Sequence, residues 1–303
     1  MAYSIGIDGG NNHSEICLAN EAGEVLRSVS LGTLSLDEMS ASQIQRTLFQ
    51  TLEHWNELQE ILQVYACISG TYSHAQEDSL RSVFRELFPK AQNNIHVANE
   101  GVALLLSRNL DMQGMALVVG TSSLCVGSDG PKVIKCGGYG YREGDPGSAF
   151  DLGYHAIRHL SRVLDGRHSS TPFSDQIAKA IHVQSVSDMA AYFGSFQRRE
   201  VAEIARIVTQ FASIDQYAYR ILVQAANEIQ LMVESIFKQL SLESTTMVLG
   251  GGLANADTMY RTMIFQAISK VSNSIEIVTP KYSRAEALAK QPMLSRGNND
   301  DRF

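Results

Sequence analysis

The feature that most constrains this fold is a three-strand pattern that occurs twice along the chain. The first copy begins with the apolar segment Ser4–Asp8 and the second with Met115–Val119, and each segment runs into a glycine-bearing turn. Two further strands follow each turn, at 14–18 and 24–31 in the first copy and at 124–127 and 132–135 in the second. Consecutive strands joined by short turns pair antiparallel. The sequence therefore predicts an internal repeat in which each half opens with an antiparallel meander.

The segments between and after these meanders contain several stretches with the apolar spacing of helices. Apolar residues recur at helical spacing over 40–62, and the longest predicted helix, over 214–240, carries one continuous apolar stripe. Shorter helices are predicted at 74–88, 100–106 and 257–271, and buried strands at 64–69, 94–98, 246–249 and 275–278. Strands that alternate with helices in this way indicate an α/β protein.

Charge and composition exclude several classes of partner. The 303-residue chain is 44% hydrophobic and 19% charged, as globular proteins are, and it is long enough for two lobes. Its net charge of −7 at pH 7 repels nucleic-acid phosphates and anionic lipids, so we expect neither as a partner. No apolar run approaches the ~20 residues that span a bilayer, and the start MAYSIGIDGG carries no export signal. We expect a cytoplasmic protein.

The four cysteines are scattered. Cys17, Cys67, Cys125 and Cys136 form no C-x-x-C pair. Without an export signal, a disulfide framework is not expected. We expect these cysteines to act as small apolar core residues.

Four glycine-bearing turns follow predicted strands, and together they indicate a site for an anion. Glycine lacks a Cβ, so its backbone N–H approaches a phosphate closely. Any one such turn is most often only a turn. Their joint occurrence favours two hairpins that clamp a polyphosphate, with a further turn at a helix N-terminus. The turns are Asp8-Gly9-Gly10, Gly120-Thr121-Ser122-Ser123, Gly137-Gly138-Tyr139-Gly140 with Gly144-Asp145, and Gly250-Gly251-Gly252.

The order of these turns resembles that of the N-acetylglucosamine kinase and BadF/BadG-type ATPase family. The matching segments are IGIDGG at 5–10, NEG at 99–101, VVGTSS at 118–123, GGYGYREGDPGS at 137–148, DGRHS at 165–169 and MVLGGGL at 247–253. The resemblance implies an α/β fold of two actin-like ATPase (ribonuclease H-like) lobes, each a mixed five-stranded sheet flanked by helices, with a cleft between them. The lobes are expected at 1–114 and 115–303, with a C-terminal helix near 284–291 packing back on the first lobe.

The resemblance also implies residue roles in a kinase that uses ATP and Mg²⁺. Glu100 occupies the position of the family's general base, and Asp8 that of the aspartate that organises Mg²⁺ through water. A carboxylate within reach of a sugar hydroxyl takes its proton as attack develops, which agrees with the first role. The implied nucleotide-binding residues are Asp8, Gly9, Gly10, Asn11, Asn12, Gly120, Thr121, Ser122, Gly250, Gly251 and Gly252. The implied substrate-binding residues are Ser35, Gly138, Tyr139 and Asp145.

The first glycine loop departs from the family pattern. It reads Asp8-Gly9-Gly10-Asn11-Asn12-His13, where the family has roughly D-G-G-G-T-x-T. Asparagine tolerates left-handed backbone angles, so Asn11 is expected to keep the turn. Asn12 is expected to donate a hydrogen bond to phosphate in place of threonine. We expect a loop that still binds nucleotide, but more weakly.

Two further departures concern the base and the sugar. Glu100 replaces an aspartate, and its extra methylene moves the carboxylate by about 1 Å, a displacement that can cost roughly 100-fold in rate. Ser35 or Thr33 stands where the family often has a sugar-contacting asparagine. The residues alone also allow local explanations, with Asp145 as the N-cap of a helix near Ser148 and Glu100 as a stabiliser of its own helix N-terminus.

The leading expectation is a homodimeric kinase of N-acetylglucosamine or glucosamine, and two alternatives stay open. The altered loop and Glu100 favour a catalytically weak family member that binds sugar or nucleotide. An activating ATPase of a radical dehydratase or reductase is the other alternative. That branch holds an iron–sulfur cluster through cysteines at a dimer interface, and Cys125 and Cys136 do not resemble those ligand positions.

Overall fold

The structure is a computed structural model that describes residues 2–11, 13–143 and 145–291. Within these residues, the strands form two five-stranded sheets, and helices flank them. The strands are β1 (Tyr3–Gly9), β2 (Ser14–Asn20), β3 (Val25–Leu31), β4 (Ile61–Ile68), β5 (Ile95–Ala98), β6 (Gln113–Val119), β7 (Ser123–Asp129), β8 (Val133–Gly137), β9 (Thr245–Gly250) and β10 (Ile275–Val278). The helices are α1 (Ala41–Leu52), α2 (His74–Leu87), α3 (Glu100–Leu106), α4 (Ala149–Leu164), α5 (Pro172–Ala180), α6 (Val186–Ser195), α7 (Arg198–Glu203), α8 (Ala205–Phe211), α9 (Gln216–Gln239), α10 (Gly252–Asn255), α11 (Met259–Val271) and α12 (Arg284–Ala289).

The first sheet is mixed, with the strand order β3-β2-β1-β4-β5. The opening meander β1-β2-β3 is antiparallel as predicted, whereas β4 and β5 run parallel to β1. The carboxyl ends of β1, β4 and β5 therefore share one edge of the sheet. Apolar residues of β1 and β4, such as Ile5, Ile7 and Val64, are fully buried in the core beside this sheet.

The second sheet has the order β10-β9-β6-β7-β8. The second predicted meander, β6-β7-β8, forms three neighbouring strands, and β9 lies next to β6. The glycine turns that follow β6 and β9 therefore come from adjacent strands. This adjacency brings two distant segments of the sequence together.

Helix α1 is shorter than the periodicity predicts. Ser40 begins the helix with a capping box shared with Gln43, and the helix ends at Leu52. In the rest of the segment predicted as helix over 40–62, residues 53–57 are not helical, a short 3₁₀ turn spans Leu58–Glu60, and β4 begins at Ile61. Trp55 and Leu58 still pack on the core. The apolar spacing therefore reflects burial against the core rather than continued helical hydrogen bonding.

By its internal contacts the chain divides into two compact units that are discontinuous in sequence. Among the described residues, unit 1 contains those up to Ala116, Val126–Ile134 and those from Val278 to Gln291, and unit 2 contains those of Leu117–Cys125 and Lys135–Ile277. The sequence predicts contiguous lobes at 1–114 and 115–303, and those bounds stay predictions.

Helix α12 belongs to unit 1 and packs on β1 and β2. Ala285 and Ala289 form a small buried cluster with Cys17 and Ala19. A Cβ on Gly6 of β1 would lie 2.1 Å from the carbonyl oxygen of Ala285, so only glycine permits this close approach. The contact brings the C-terminal helix to the strand that carries Asp8.

The cysteines are free thiols, and Cys17, Cys67 and Cys125 are buried as the sequence predicts, whereas Cys136 is half-buried. Among the described helices, none combines the length and apolar character needed to cross a bilayer.

Candidate active site

Two carboxylates lie at the carboxyl edge of the first sheet. Asp8 is the penultimate residue of β1 and is only 5% exposed. Glu100 begins α3 directly after β5, and Asn99 caps that helix by accepting hydrogen bonds from the backbone N–H groups of Gly101 and Val102 at 3.0 and 3.3 Å. Because β1, β4 and β5 are parallel, both residues lie where open α/β sheets bind ligands.

Arg284, which the sequence analysis missed, joins these two carboxylates. Its Nε lies 2.9 Å from Oδ2 of Asp8, and its Nη1 lies 3.8 Å from Oε2 of Glu100. Arg284 is the first residue of α12, which Ser283 caps. The helix dipole opposes a cation at this end, so the two carboxylates are the groups that hold the guanidinium there.

Burial dominates the electrostatics of Asp8. It raises the pKa of this carboxyl group to about 6; Arg284 opposes the shift, and Glu100 adds to it. At pH 7 Asp8 is therefore mostly ionised and paired with Arg284. Below pH 6 it becomes protonated, and the ion pair is lost.

The first glycine loop is held by hydrogen bonds within unit 1. The N–H of Gly10 donates to Oγ of Ser14 at 3.1 Å, and the carbonyl of Gly10 accepts from the N–H of Leu34 at 3.1 Å. The hydroxyl of Thr33 donates to the carbonyl of Asn11 at 2.8 Å. The N–H of Gly10 must therefore leave Ser14 before it can donate to a phosphate. Asn12, predicted to contact phosphate, lies outside the described residues.

Gly9 is enclosed by Leu34 and Ile68. A Cβ at this position would lie 2.6 Å from the carbonyl oxygen of Leu34 and 2.6 Å from Cδ1 of Ile68. The glycine is therefore required by close packing, whatever its role toward nucleotide.

The other predicted nucleotide-binding turns meet inside unit 2. The Cβ position of Gly120, after β6, lies 3.5 Å from Cα of Gly251, after β9. Gly251 has a φ of +92°, and a Cβ there would lie 2.4 Å from the backbone of Val119, so no other residue fits. Gly250 ends β9 and Gly252 begins α10. Thr121 and Ser122 lie beside this junction and are partly exposed.

Ser35, predicted as a sugar contact, lies in a turn held by hydrogen bonds. Its side chain is fully buried, its hydroxyl donates to the carbonyl of Ser69 at 3.1 Å, and its Oγ accepts the N–H of Asp37 at 3.1 Å. These bonds fix the turn after β3 to the end of β4. The hydroxyl is therefore enclosed in this structure, and its contact with a sugar stays a prediction.

The predicted sugar residues of unit 2 differ in exposure. Tyr139 is 62% exposed, and the ammonium group of Lys135 lies 5.1 Å from the centre of its ring. Gly138 precedes it with a φ of +68°. Tyr139 therefore presents a free aromatic edge, whereas its contact with a sugar stays a prediction.

Asp145 is fully buried and paired. The guanidinium of Arg198 donates to Oδ2 of Asp145 at 2.9 Å, and burial raises the pKa of the carboxyl to about 6 against the effect of that arginine. The N-cap of α4 is Ser148, so the capping role considered for Asp145 is wrong. Arg198, like Arg284, was missed by the sequence analysis.

The donor set fits a nucleotide-bound magnesium ion rather than a protein cage. Among the residues that the structure describes, no three His, Cys, Asp or Glu side chains cluster to hold a metal ion. Asp8 and Glu100 supply two carboxylates near each other. Mg²⁺ typically keeps several waters and takes one or two carboxylates together with nucleotide phosphates.

Known proteins resemble this chain over nearly its whole length. The sequence profile of the BadF/BadG/BcrA/BcrD ATPase family matches residues 5–287. An N-acetylmuramic acid/N-acetylglucosamine kinase of Clostridium acetobutylicum is 26% identical over 270 residues, which cover 86% of this chain and 88% of that protein.

Solved structures share the fold. A candidate N-acetylglucosamine kinase from Chromobacterium violaceum superposes with a TM-score of 0.78 at 22% identity, covering 96% of this chain and 99% of that one. A ROK hexokinase from Thermus thermophilus superposes with a TM-score of 0.50 at 17% identity, covering 96% and 97%. The expected fold class, α/β with two mixed five-stranded sheets flanked by helices, is confirmed.

Proposed function

Because the chain belongs to the BadF/BadG/BcrA/BcrD ATPase family, we propose that it is an ATP-dependent kinase that phosphorylates a hydroxyl of an amino sugar, of the N-acetylglucosamine or glucosamine type. The observation that carries the proposal is the joining of Asp8 and Glu100 by one guanidinium at the ligand-binding edge of the first sheet. The name of the C. acetobutylicum relative supports the substrate class.

Glu100 is the proposed general base. A sugar hydroxyl is a weak nucleophile, and a carboxylate in hydrogen-bond reach takes its proton as the oxygen attacks the γ-phosphorus of ATP. The new O–P bond forms as the bond to the ADP oxygen breaks. The side chain of Glu100 is 21% exposed, so a hydroxyl can approach it.

Asp8 is the proposed partner of the nucleotide's metal ion. It would hold Mg²⁺ through water, and the bound ion neutralises charge on the transferred phosphoryl group. Arg284 keeps Asp8 and Glu100 close and favours the ionised form of Asp8. Gly120, Thr121 and the glycines at 250–252 are the proposed phosphate and adenosine contacts in unit 2. We also propose a cytoplasmic homodimer, as the family resemblance implies.

A catalytically weak family member is the second candidate, and two observations favour it. Arg284 already occupies an oxygen of Asp8, and the N–H of Gly10 already donates to Ser14. A nucleotide must displace or accommodate both contacts. Slow turnover with intact sugar binding would follow if it cannot.

A substrate panel separates these candidates. ADP release is measured with ATP, Mg²⁺ and N-acetylglucosamine, glucosamine or N-acetylmuramic acid, with glucose as the non-amino control. We expect turnover with at least one amino sugar, and a loss of roughly 10²–10⁴-fold in Glu100→Gln with sugar binding retained in calorimetry. Glu38→Gln, an exposed glutamate, should match the wild type. If the wild type is as slow as Glu100→Gln while sugar still binds, the kinase proposal fails and the weak member remains.

A further inference from the structure

Unit 2 contains a cavity of about 410 Å³ that includes none of the candidate active-site residues. Its walls come from the second half of α4, the segment after it and the first half of α9, which packs against α4. The wall residues that carry the argument are Arg158, Arg162, Arg220, His159, His168 and Tyr217. His168 belongs to the DGRHS segment, to which the proposed kinase assigns no role.

The charge of this cavity is positive in a chain whose net charge is −7. Three arginines line it, and no aspartate or glutamate does. Arg158 and Arg162 lie one turn apart on α4, a spacing at which like charges repel. Arg162 lies in the last turn of α4, where the helix dipole stabilises a positive charge and offsets the repulsion. Arg158 lies too far from the helix end for this stabilisation. Within the described part of the chain, no carboxylate lies within ion-pair distance of Arg158, Arg162 or Arg220.

Aromatic rings form one wall of the cavity. The ring of Tyr217 stacks on His159 at a centroid distance of 4.0 Å and on His168 at 4.9 Å. Nδ1 of His159 lies 3.0 Å from Nδ1 of His168, so one ring donates to the other. His159 is 5% exposed, and its Nε2 is buried with no hydrogen-bond partner among the described residues. A buried polar atom without a partner costs free energy.

His159 is neutral at physiological pH, so the arginines supply the positive charge of the cavity. Burial lowers the pKa of His159 to about 4, and His168 and Arg162 lower it further, whereas Asp215 at the N-cap of α9 opposes them. His159 therefore contributes a hydrogen bond to His168 and support for the ring of Tyr217 rather than a charge.

We propose that this cavity binds the phosphate group of a small phosphate monoester, with Arg158, Arg162 and Arg220 as its counter-charges. Guanidinium groups pair with phosphate oxygens through two parallel hydrogen bonds. The cavity falls in the size range of small-molecule sites, so it holds more than the phosphate alone. Tyr217 and His168, which are half-buried in this wall, offer polar ring atoms to the rest of the molecule. The proposal is independent of the proposed kinase activity.

Binding of inorganic phosphate and of glucose 6-phosphate to the full chain, each measured by calorimetry at low ionic strength, tests the proposal. The test variant is Arg158→Gln/Arg220→Gln, in which both substitutions fall on exposed side chains. The matched control is Arg46→Gln/Arg85→Gln, which makes the same change in net charge on exposed helices of unit 1. Thermal unfolding checks that all variants are folded.

We expect saturable binding that weakens roughly tenfold or more in the test variant and stays unchanged in the control. Tighter binding of glucose 6-phosphate identifies an organic phosphate as the ligand class, and equal binding identifies free phosphate. Long-range ¹H–¹⁵N spectra should show the imidazoles of His159 and His168 shifting with the same saturation curve. Wild-type affinity in the test variant, no saturable binding, or unmoved imidazole signals would each overturn the proposal.

Discussion

Both units hold a buried aspartate against an arginine that begins a six-residue helix, but the two pairs differ in access. Arg284 begins α12 and pairs with Asp8 in unit 1, whereas Arg198 begins α7 and pairs with Asp145 in unit 2. The side chain of Arg284 is 32% exposed and also reaches Glu100. Arg198 is 10% exposed, and Asp145 is fully enclosed.

We propose that this difference separates a structural ion pair from one that takes part in the reaction. In both pairs burial raises the pKa of the aspartate to about 6, with the arginine opposing. In the sealed pair of unit 2, the charges of Arg198 and Asp145 compensate each other. Removing one partner leaves the other charge buried without compensation. The open pair of unit 1 shares one guanidinium between two carboxylates, and solvent or a ligand can reach the cluster. Chemistry is therefore expected at Asp8 and Glu100 rather than at Asp145.

The largest expected effect is on the free energy of unfolding, and it should differ between substitution of Arg198 and substitution of Arg284. Arg198→Gln should lower the free energy of unfolding by about 3–5 kcal/mol at pH 8, because Asp145 stays buried without its partner. Arg284→Gln should cost only about 1–2 kcal/mol, because water reaches that site. Urea unfolding of both variants measures the difference.

Arg199→Gln provides the matched control. This arginine is adjacent to Arg198 but is 68% exposed and pairs with Glu203 on the helix surface, so its loss should cost less than about 0.5 kcal/mol. Equal costs for Arg198→Gln and Arg284→Gln would remove the distinction between a sealed and an open pair.

An intermediate effect is expected in the pH dependence of stability. The pKa of Asp8 is raised by folding, so its contribution to stability is present below pH 3.8 and is lost as the pH rises through about 6. Between pH 4 and pH 8 the wild type should therefore lose on the order of 2 kcal/mol relative to Asp8→Asn. Urea unfolding across this range measures the change. A constant difference between the two proteins would show that folding does not raise the pKa of Asp8.

The sequence predicts those parts of the site that local patterns encode. Asp8 follows an apolar strand and Glu100 begins a helix after another strand, so strand ends and turns locate both. The helix predicted over 40–62 is longer than the observed α1, because Trp55 and Leu58 continue the apolar spacing in a segment that is not α-helical. The position of Ser35 in a motif predicts a sugar contact, and a motif does not reveal that its hydroxyl bonds to the backbone of Ser69 and Asp37.

The two arginines were missed because their partners are distant in sequence. Arg198 lies 53 residues from Asp145, and Arg284 lies near the opposite end of the chain from Asp8. One local signal was available. A cation at the first position of a helix is opposed by the helix dipole, and both arginines occupy that position. Such a misplaced charge indicates a carboxylate partner elsewhere in the fold.

The smallest expected effect, a coupling energy, tests the central claim that Arg284 acts through Glu100 in one reactive cluster. The most direct measurement is a double-mutant cycle in the single-turnover rate of amino-sugar phosphorylation, with Glu100→Gln, Arg284→Gln and the double variant. We predict that the double variant is no slower than Glu100→Gln, with a coupling of about 1 kcal/mol or more. Rate losses that simply multiply would contradict the claim, since Arg284 and Glu100 would then act independently.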